Sequence, residues 1–230
     1  MIGIVLQGRI DSSRLPGKAM LPLDGKPLIY RVMEALNHVQ ADIRILACPE
    51  DSISVFQDIA QEAGFHIFAG PKEDVLKRYC MVIHHFSLSR IIRATGDNPF
   101  VFTDAASAIN NEAIYLNADY AGYRELPVGS GVESVCASAL LRAEKETNFS
   151  YDREHVCPYL YNNENSFGLH RPLAPDCWQF PQIRLTVDTQ DDYERAKILY
   201  SALKDDPLRY MGTKIISIYS EIFKSQNGGI

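Results

Sequence analysis

Apolar and polar positions along the chain follow two rhythms. Residues 2–6 form an unbroken apolar run that predicts a buried strand. Residues 27–39 put Leu28, Val32, Ala35, Leu36 and Val39 on one face of an amphipathic helix. A strand over 43–47 follows, then a helix capped by Asp51 and stopped near residue 63 by Gly64. The pattern goes on as a short strand at 65–68, a turn at 70–71, a helix at 73–86, a strand at 90–94 and a helix at 103–116. Strands alternating with helices of this length indicate βαβ units, so an α/β fold with a mainly parallel sheet flanked by helices.

Past residue 118 the rhythm changes. Strands are expected at 119–122 and 132–135 around a Pro/Gly-rich loop, helices at 137–146 and 151–162, and a strand at 167–173 running into a breaker cluster at 172–175. About 122–182 is read as an inserted lobe over the sheet, within one domain spanning 1–230. The α/β rhythm then returns with a strand at 184–187, a turn at 188–189, a helix at 190–203 and a last helix at 214–223. Only the last few residues are expected to be disordered.

Composition narrows the class. The net charge of −6 argues against general nucleic-acid binding and makes any basic cluster a local feature. Five dispersed cysteines without a CxxC pair suggest reduced thiols in a cytoplasm. No apolar run reaches membrane length, and Met1 leads straight into a strand, so neither a span nor a signal peptide is expected.

The chemistry concentrates after the first strand, in Gln7-Gly8-Arg9-Ile10-Asp11-Ser12-Ser13-Arg14-Leu15-Pro16-Gly17-Lys18. Arg9, Arg14 and Lys18 stand four or five apart with small residues between them. Such a loop makes a poor helix and a good triphosphate cradle: backbone N–H groups approach the oxygens, Arg offers a planar fork, and Lys a compact charge. The plainer alternative is a solvated basic loop. Neither GxxxxGK[ST] nor GxGxxG is present. Open α/β sheets bind ligands at strand C-termini, where Asp97 also falls, in Arg93-Ala94-Thr95-Gly96-Asp97-Asn98-Pro99. An Asx-type turn would explain Asp97 equally well. Asp188 closes Leu185-Thr186-Val187-Asp188 and is followed by Thr189-Gln190-Asp191-Asp192; one of Asp188 and Thr189 is expected to be a helix N-cap. Asp74 and Arg78 lie four apart in Glu73-Asp74-Val75-Leu76-Lys77-Arg78-Tyr79, the spacing of a helix salt bridge.

The run from Gln7 to Lys18, followed by Asp24-Gly25-Lys26-Pro27-Leu28, resembles the signature of the cytidylyltransferases that activate acidic sugars, most closely the branch named after a spore coat polysaccharide biosynthesis protein. Gly8 and Ser13 stand where that branch usually has Ala and Thr. The likeness also covers residues 73–79, 93–99 and 184–192, and Tyr151-Asp152-Arg153-Glu154-His155-Val156-Cys157-Pro158-Tyr159. It implies a Rossmann-like fold of the nucleotide-diphospho-sugar transferase type, and CMP transfer from CTP to a sugar-like acceptor with release of pyrophosphate. It implies Mg2+ on Asp97 and Asp188, catalysis by Arg9, Arg14, Lys18 and Asp97, and nucleotide contacts from Gln7, Gly8, Arg9, Ser13, Arg14, Lys18, Gly70, Arg78 and Asp97. The acceptor side would hold Glu133, Asp152, Arg153 and His155, with Gly131 replacing a frequent family Asp. A homodimer through the lobe is also implied. Three readings stay open beside it: a sugar-1-phosphate nucleotidyltransferase, a related glycosyltransferase, and a nucleotide-binding partner protein without turnover.

Overall fold

In the computed structural model, which describes residues 1–223, the expected alternation is present. The chain runs β1 (Ile2–Gln7), a hairpin of β2 (Pro22–Leu23) and β3 (Lys26–Pro27), α1 (Leu28–Leu36), β4 (Ile43–Pro49), α2 (Ile53–Glu62), β5 (His66–Gly70), α3 (Val75–Phe86), β6 (Arg90–Thr95) and α4 (Thr103–Tyr115). It continues through β7 (Tyr120–Ala121), β8 (Glu133–Cys136), α5 (Ala137–Glu146), α6 (Ser150–His155), α7 (Pro158–Tyr161), β9 (Leu169–His170), α8 (Gln190–Leu203) and α9 (Gly212–Phe223). Among the described residues, seven strands form one sheet in the order β5-β4-β1-β6-β8-β7-β9. The first four are mutually parallel. β8 runs antiparallel to β6 and to β7, and β9 parallel to β7.

The apolar strands are buried on both faces, as a parallel sheet between helices requires. In β1, Ile4 and Leu6 join the core under α1, α4 and α8, while Val5 faces the core under α3 and α5. β4 and β6 alternate alike: Leu46 and Ile92 point one way, Ile45 and Ile91 the other. Residues 122–182 supply β8 and β9 to this sheet and α5, α6 and α7 to the face that carries α3.

Several local expectations are corrected. Residues 184–187 are not a sheet strand. Arg184 makes one isolated bridge to Val128, Leu185 N–H donates to Val128 O at 2.8 Å, and Val187 N–H donates to Asp97 O at 2.9 Å. The apolar residues Leu185 and Val187 are buried as a strand pattern demands, but their backbone partners are loops. Gly129 permits this crossing: its φ is +90°, and a Cβ there would lie 2.5 Å from Thr186 N. The helix expected over 151–162 is two helices. Pro158 begins α7, and the chain turns at Val156, where φ is 75° and ψ −57°, with Cys157 N–H donating back to His155 O at 2.9 Å. Asp51 does not cap α2: a 3-10 turn at Glu50–Ser52 precedes it, and the Asp51 carboxylate takes hydrogen bonds from Ser52 Oγ and Lys72 Nζ instead. α3 starts at Val75, after Asp74 accepts from Lys77 N–H at 3.0 Å. The strand expected over 167–173 is confined to β9. The tail expected to be disordered includes residues 224–230, which lie outside the described residues.

Candidate active site

β1 and β6 end side by side, with Gln7 opposite Thr95, and Gly96 N–H donates to Gln7 O at 2.9 Å. Both chains turn away there and leave a cavity of about 280 Å3, near the lower end of the roughly 300–1,000 Å3 usual for ligand pockets. Gly8 permits the turn out of β1: a Cβ would come within 2.7 Å of Ile29 Cδ1. The basic loop is anchored from below by buried Leu15 and Ala19, and Gly17 at φ 66° leads into the short 3-10 turn Lys18–Met20. The loop therefore stays at the surface while its cations lean inward.

Lys18 is the centre of the arrangement. Its Nζ donates to Asp97 Oδ2 at 2.7 Å, Asp188 Oδ1 at 2.8 Å and Val187 O at 3.1 Å. Arg14 Nη2 reaches the same Asp188 oxygen at 3.0 Å, and Arg184 Nη2 donates to the other at 2.8 Å. Residues 79 and 170 positions away from Lys18 thus meet on one ammonium. Asp97 is not consumed by a local turn. Asp188 is spared capping because Thr189 caps α8, in a capping box with Asp192. Burial pushes the Asp188 carboxyl pKa up, and the charges of Lys18, Arg14 and Arg184 more than reverse this, holding it below the ordinary value.

Asp192 sits behind the site, with its side chain 2% exposed, and takes Arg184 Nε at 3.1 Å and the N–H of Asp188 at 3.0 Å. Burial raises its pKa, but Arg184 and the backbone and hydroxyl donors lower it further, so it lies below the ordinary value. A depressed acid stabilises the fold above its unfolded pKa, and that contribution vanishes as pH falls through the folded value. Asp192→Ala is expected to cost about 1–3 kcal/mol at neutral pH, through its lost half of the capping box and lost charged hydrogen bonds. The difference from the parent should shrink below about pH 4, the ordinary Asp range. Denaturant unfolding across pH checks both; an equal penalty at low pH would contradict the assignment.

On the α3 side, Arg78 is 2% exposed and forms no ion pair among the described residues. Its Nη1 donates to Pro71 O at 2.7 Å, and its Nε has no partner. Burial pushes its pKa down, and nearby Arg9 adds to the effect. Arg9 is exposed and pairs with no acid among the described residues. Two cations without acids beside one cavity are suited to an anion. Lys72 pairs with Asp11 of the basic loop and with Asp51 at 2.8 Å, tying that loop to the far side of the cavity.

Of the residues singled out from the sequence, Gln7, Gly8, Arg9, Ser13, Arg14, Lys18, Arg78, Asp97, His155 and Asp188 line this cavity. Gly70, Glu133, Asp152 and Arg153 do not. Gly70 packs on the Arg78 stem, where a Cβ would lie 2.9 Å from Arg78 Cγ. Glu133 is turned to Arg93 and Tyr120. Asp152 is buried and accepts from Thr147 Oγ1 at 2.7 Å. Arg153 bridges Asp74 at 3.0 Å and Glu144 at 3.2 Å, holding α6 against the start of α3 and the end of α5. Asp152 and Arg153 thereby fix the helix that presents Glu154 and His155. Lys72, from the turn at 70–72 that the family resemblance places beside the pyrimidine, also lines the cavity, as do Arg93, Thr95 and Glu154, which sequence reasoning does not mark as site residues. Arg93 lies within 93–99, and a second charged residue in β6, two apolar positions after Arg90, is the sequence signal for it.

The chain matches the cytidylyltransferase family model over residues 2–224. It is a member of that family. It is 31% identical over 210 residues to the spore coat polysaccharide biosynthesis protein SpsF of Bacillus subtilis, covering 88% of each chain. A cytidylyltransferase from Leptospira borgpetersenii has the same fold, with a TM-score of 0.87 at 24% identity over 98% of this chain and 95% of that one. CMP:2-keto-3-deoxy-manno-octonic acid synthetase, solved with CTP, superposes with a TM-score of 0.69 at 18% identity, over 87% of this chain and 98% of that one. The Rossmann-like, mainly parallel architecture is thus that of known nucleotidyltransferases, and this cytidylyltransferase-family chain is a nucleotidyltransferase by membership.

Proposed function

We propose that this cytidylyltransferase takes CTP and a sugar-like acceptor in the cavity described above, releasing pyrophosphate and a CMP-linked product for surface polysaccharide or glycoconjugate synthesis. The observation that carries the reading is the meeting of Asp97 and Asp188 on the Lys18 ammonium beside the Arg-bearing loop. The acceptor oxygen forms a new bond to the α-phosphorus while the bond from that phosphorus to the bridging oxygen breaks; pyrophosphate leaves with its electron pair, and the acceptor hydroxyl's proton passes to water. No covalent enzyme intermediate is needed; positioning and charge stabilisation supply the rate. Arg9, Arg14 and Lys18 receive the charge that grows on the departing pyrophosphate, with Ser13 and Gly8 alongside. Arg78 faces the nucleotide, supported by Gly70. His155 and Glu154 form the acceptor-side wall, held there by Asp152 and Arg153.

Asp97 and Asp188 fit a hard divalent cation. Both are carboxylates, and a cation, the Lys18 ammonium, already lies between them. Mg2+ held there would neutralise phosphate charge and lower the acceptor hydroxyl's pKa. The setting is proposed to be cytoplasmic, in keeping with five free cysteines. No helix among the described residues is long and apolar enough to cross a membrane.

Arg14 tests the cradle. Its side chain is 64% exposed, so no fold depends on it. Arg14→Lys keeps the charge and loses the fork, and should lower kcat/KM for CTP by about ten- to a hundredfold, the worth of one charged hydrogen bond of roughly 1.5–3 kcal/mol. The melting temperature should not move. An unchanged kcat/KM would remove Arg14 from the cradle.

The region 122–182 is proposed as the acceptor-side and dimerisation lobe. Phe149, Tyr151 and Leu173 expose more than half of their surface there. Light scattering at micromolar protein should return the mass of a dimer; a monomer mass would end this part of the proposal.

A further inference from the structure

Gln7 ends β1 on the floor of the cavity, and the two ends of its carboxamide have opposite chemistry. Arg93 Nη2 lies 3.0 Å from Gln7 Oε1, and the Tyr79 hydroxyl 3.4 Å from the same atom. A guanidinium has donors only, so the atom turned to Arg93 has to be the amide oxygen. Tyr79 is fully buried, and burial pushes its pKa up, so its hydroxyl keeps its one proton, which is shared between Gln7 Oε1 and the nearer Val5 O at 3.2 Å. With Oε1 taken by these donors, the Nε2 hydrogens are left for the cavity, and Nε2 has no partner among the described residues.

Arg93 is itself held in place. Its Nη1 pairs with Glu133, and the other Glu133 oxygen accepts from the Tyr120 hydroxyl at 2.8 Å. Burial pushes the Arg93 pKa down, and the Glu133 charge more than restores it. The fully buried Cys157 thiol packs on the same carboxylate, which raises the thiol's pKa further and keeps it neutral. The chain Tyr120–Glu133–Arg93–Gln7 therefore runs from behind the sheet to the cavity floor, each link a hydrogen bond. Turning the amide over would set its NH2 against the guanidinium, donor to donor.

Resting on the nucleotidyl-transfer reading of the cavity, we propose that Arg93 and Glu133 are positioning residues that lock the Gln7 carboxamide, so that the site presents one fixed hydrogen-bond donor to its substrate. The group it takes is an accepting oxygen or ring nitrogen. Cytosine offers such atoms at O2 and N3, and a sugar acceptor offers them in its hydroxyl and carboxylate oxygens. Glu133 then acts through Gln7 and does not touch the acceptor.

The test uses the full chain. Gln7→Glu keeps an oxygen for Arg93 and replaces the donor by an acceptor, so the fold should hold, with a parent-like melting temperature. Its Kd for CTP by calorimetry should rise at least about tenfold if the nucleotide is read, whereas the KM for 3-deoxy-manno-octulosonate as probe acceptor should rise instead if the acceptor is read. Glu133→Gln should weaken the same arm about three- to tenfold, and add less than about twofold on top of Gln7→Glu, because both act through one contact. The lock is also read without ligand: Glu133→Gln should shift and broaden the Gln7 side-chain NH2 signals in 15N spectra, assigned by their absence in Gln7→Glu. Parent-like behaviour of Gln7→Glu in every arm the parent supports overturns the proposal, as do additive losses or unmoved NH2 signals in Glu133→Gln. A parent that binds no CTP fails the nucleotidyl-transfer reading, and the spectra still decide the lock.

Discussion

Replacing Asp97 with Asn is expected to lower kcat/KM for CTP by about a hundred- to a thousandfold, the several kcal/mol that a correctly held divalent cation contributes to phosphoryl-type transition states. The change is almost isosteric. The backbone link from Val187 N–H to Asp97 O remains, and Lys18 keeps Asp188 Oδ1 and Val187 O as partners. What disappears is the charge of one of the two carboxylates that meet on Lys18. The melting temperature should stay within a few degrees of the parent. The loss should persist across a magnesium titration. Near-normal activity through that titration would show that Asp97 holds no metal; a collapsed fold would show that its charge is structural.

Lys18→Met is expected to lower kcat/KM for CTP by roughly a hundredfold or more, since the cation proposed to receive the charge of the departing pyrophosphate is lost, at about 1.5–3 kcal/mol for each charged hydrogen bond it would make there. Methionine keeps much of the stem, which is largely buried, so packing survives. The variant leaves Asp97 and Asp188 facing each other without the cation between them. Like charges at that range repel, so Mg2+ should raise the melting temperature of Lys18→Met more than that of the parent. That second readout needs no turnover. Equal responses to Mg2+ would mean that the two carboxylates do not share a cation site.

These residues were legible in the sequence because each sits where local pattern and fold rule agree. An apolar run followed by a small-residue loop with three cations marks a strand end facing a ligand crevice, and Gly96 before Asp97 marks a second. The alternation of β1, α1 and β4 could likewise be read from period alone. The rest depended on distant partners. Residues 184–187 have the apolar pattern of a strand, and nothing local says that their hydrogen bonds go to residues 97 and 128. The turn at Val156 puts a β-branched residue at positive φ, which propensity argues against; only the packed surroundings of α6 and α7 impose it. Asp152 and Arg153 look like a charged functional cluster, and it is their burial and their partners Thr147, Asp74 and Glu144 that turn them into supports. Glu133 and Arg93 are 40 residues apart, so their pairing could not be seen before the strands were registered.

The most direct test of the central claim is pyrophosphate release by the full chain with CTP, UTP, ATP or GTP across a panel of sugar acids, neutral sugars and sugar 1-phosphates, with products read by mass spectrometry. The predicted result is pyrophosphate formed with CTP, mole for mole with a CMP-linked product, and slowed about a hundred- to a thousandfold by Asp97→Asn. Pyrophosphate formed only with another nucleotide and a sugar 1-phosphate would contradict it, as would calorimetric CTP binding with no pyrophosphate from any acceptor.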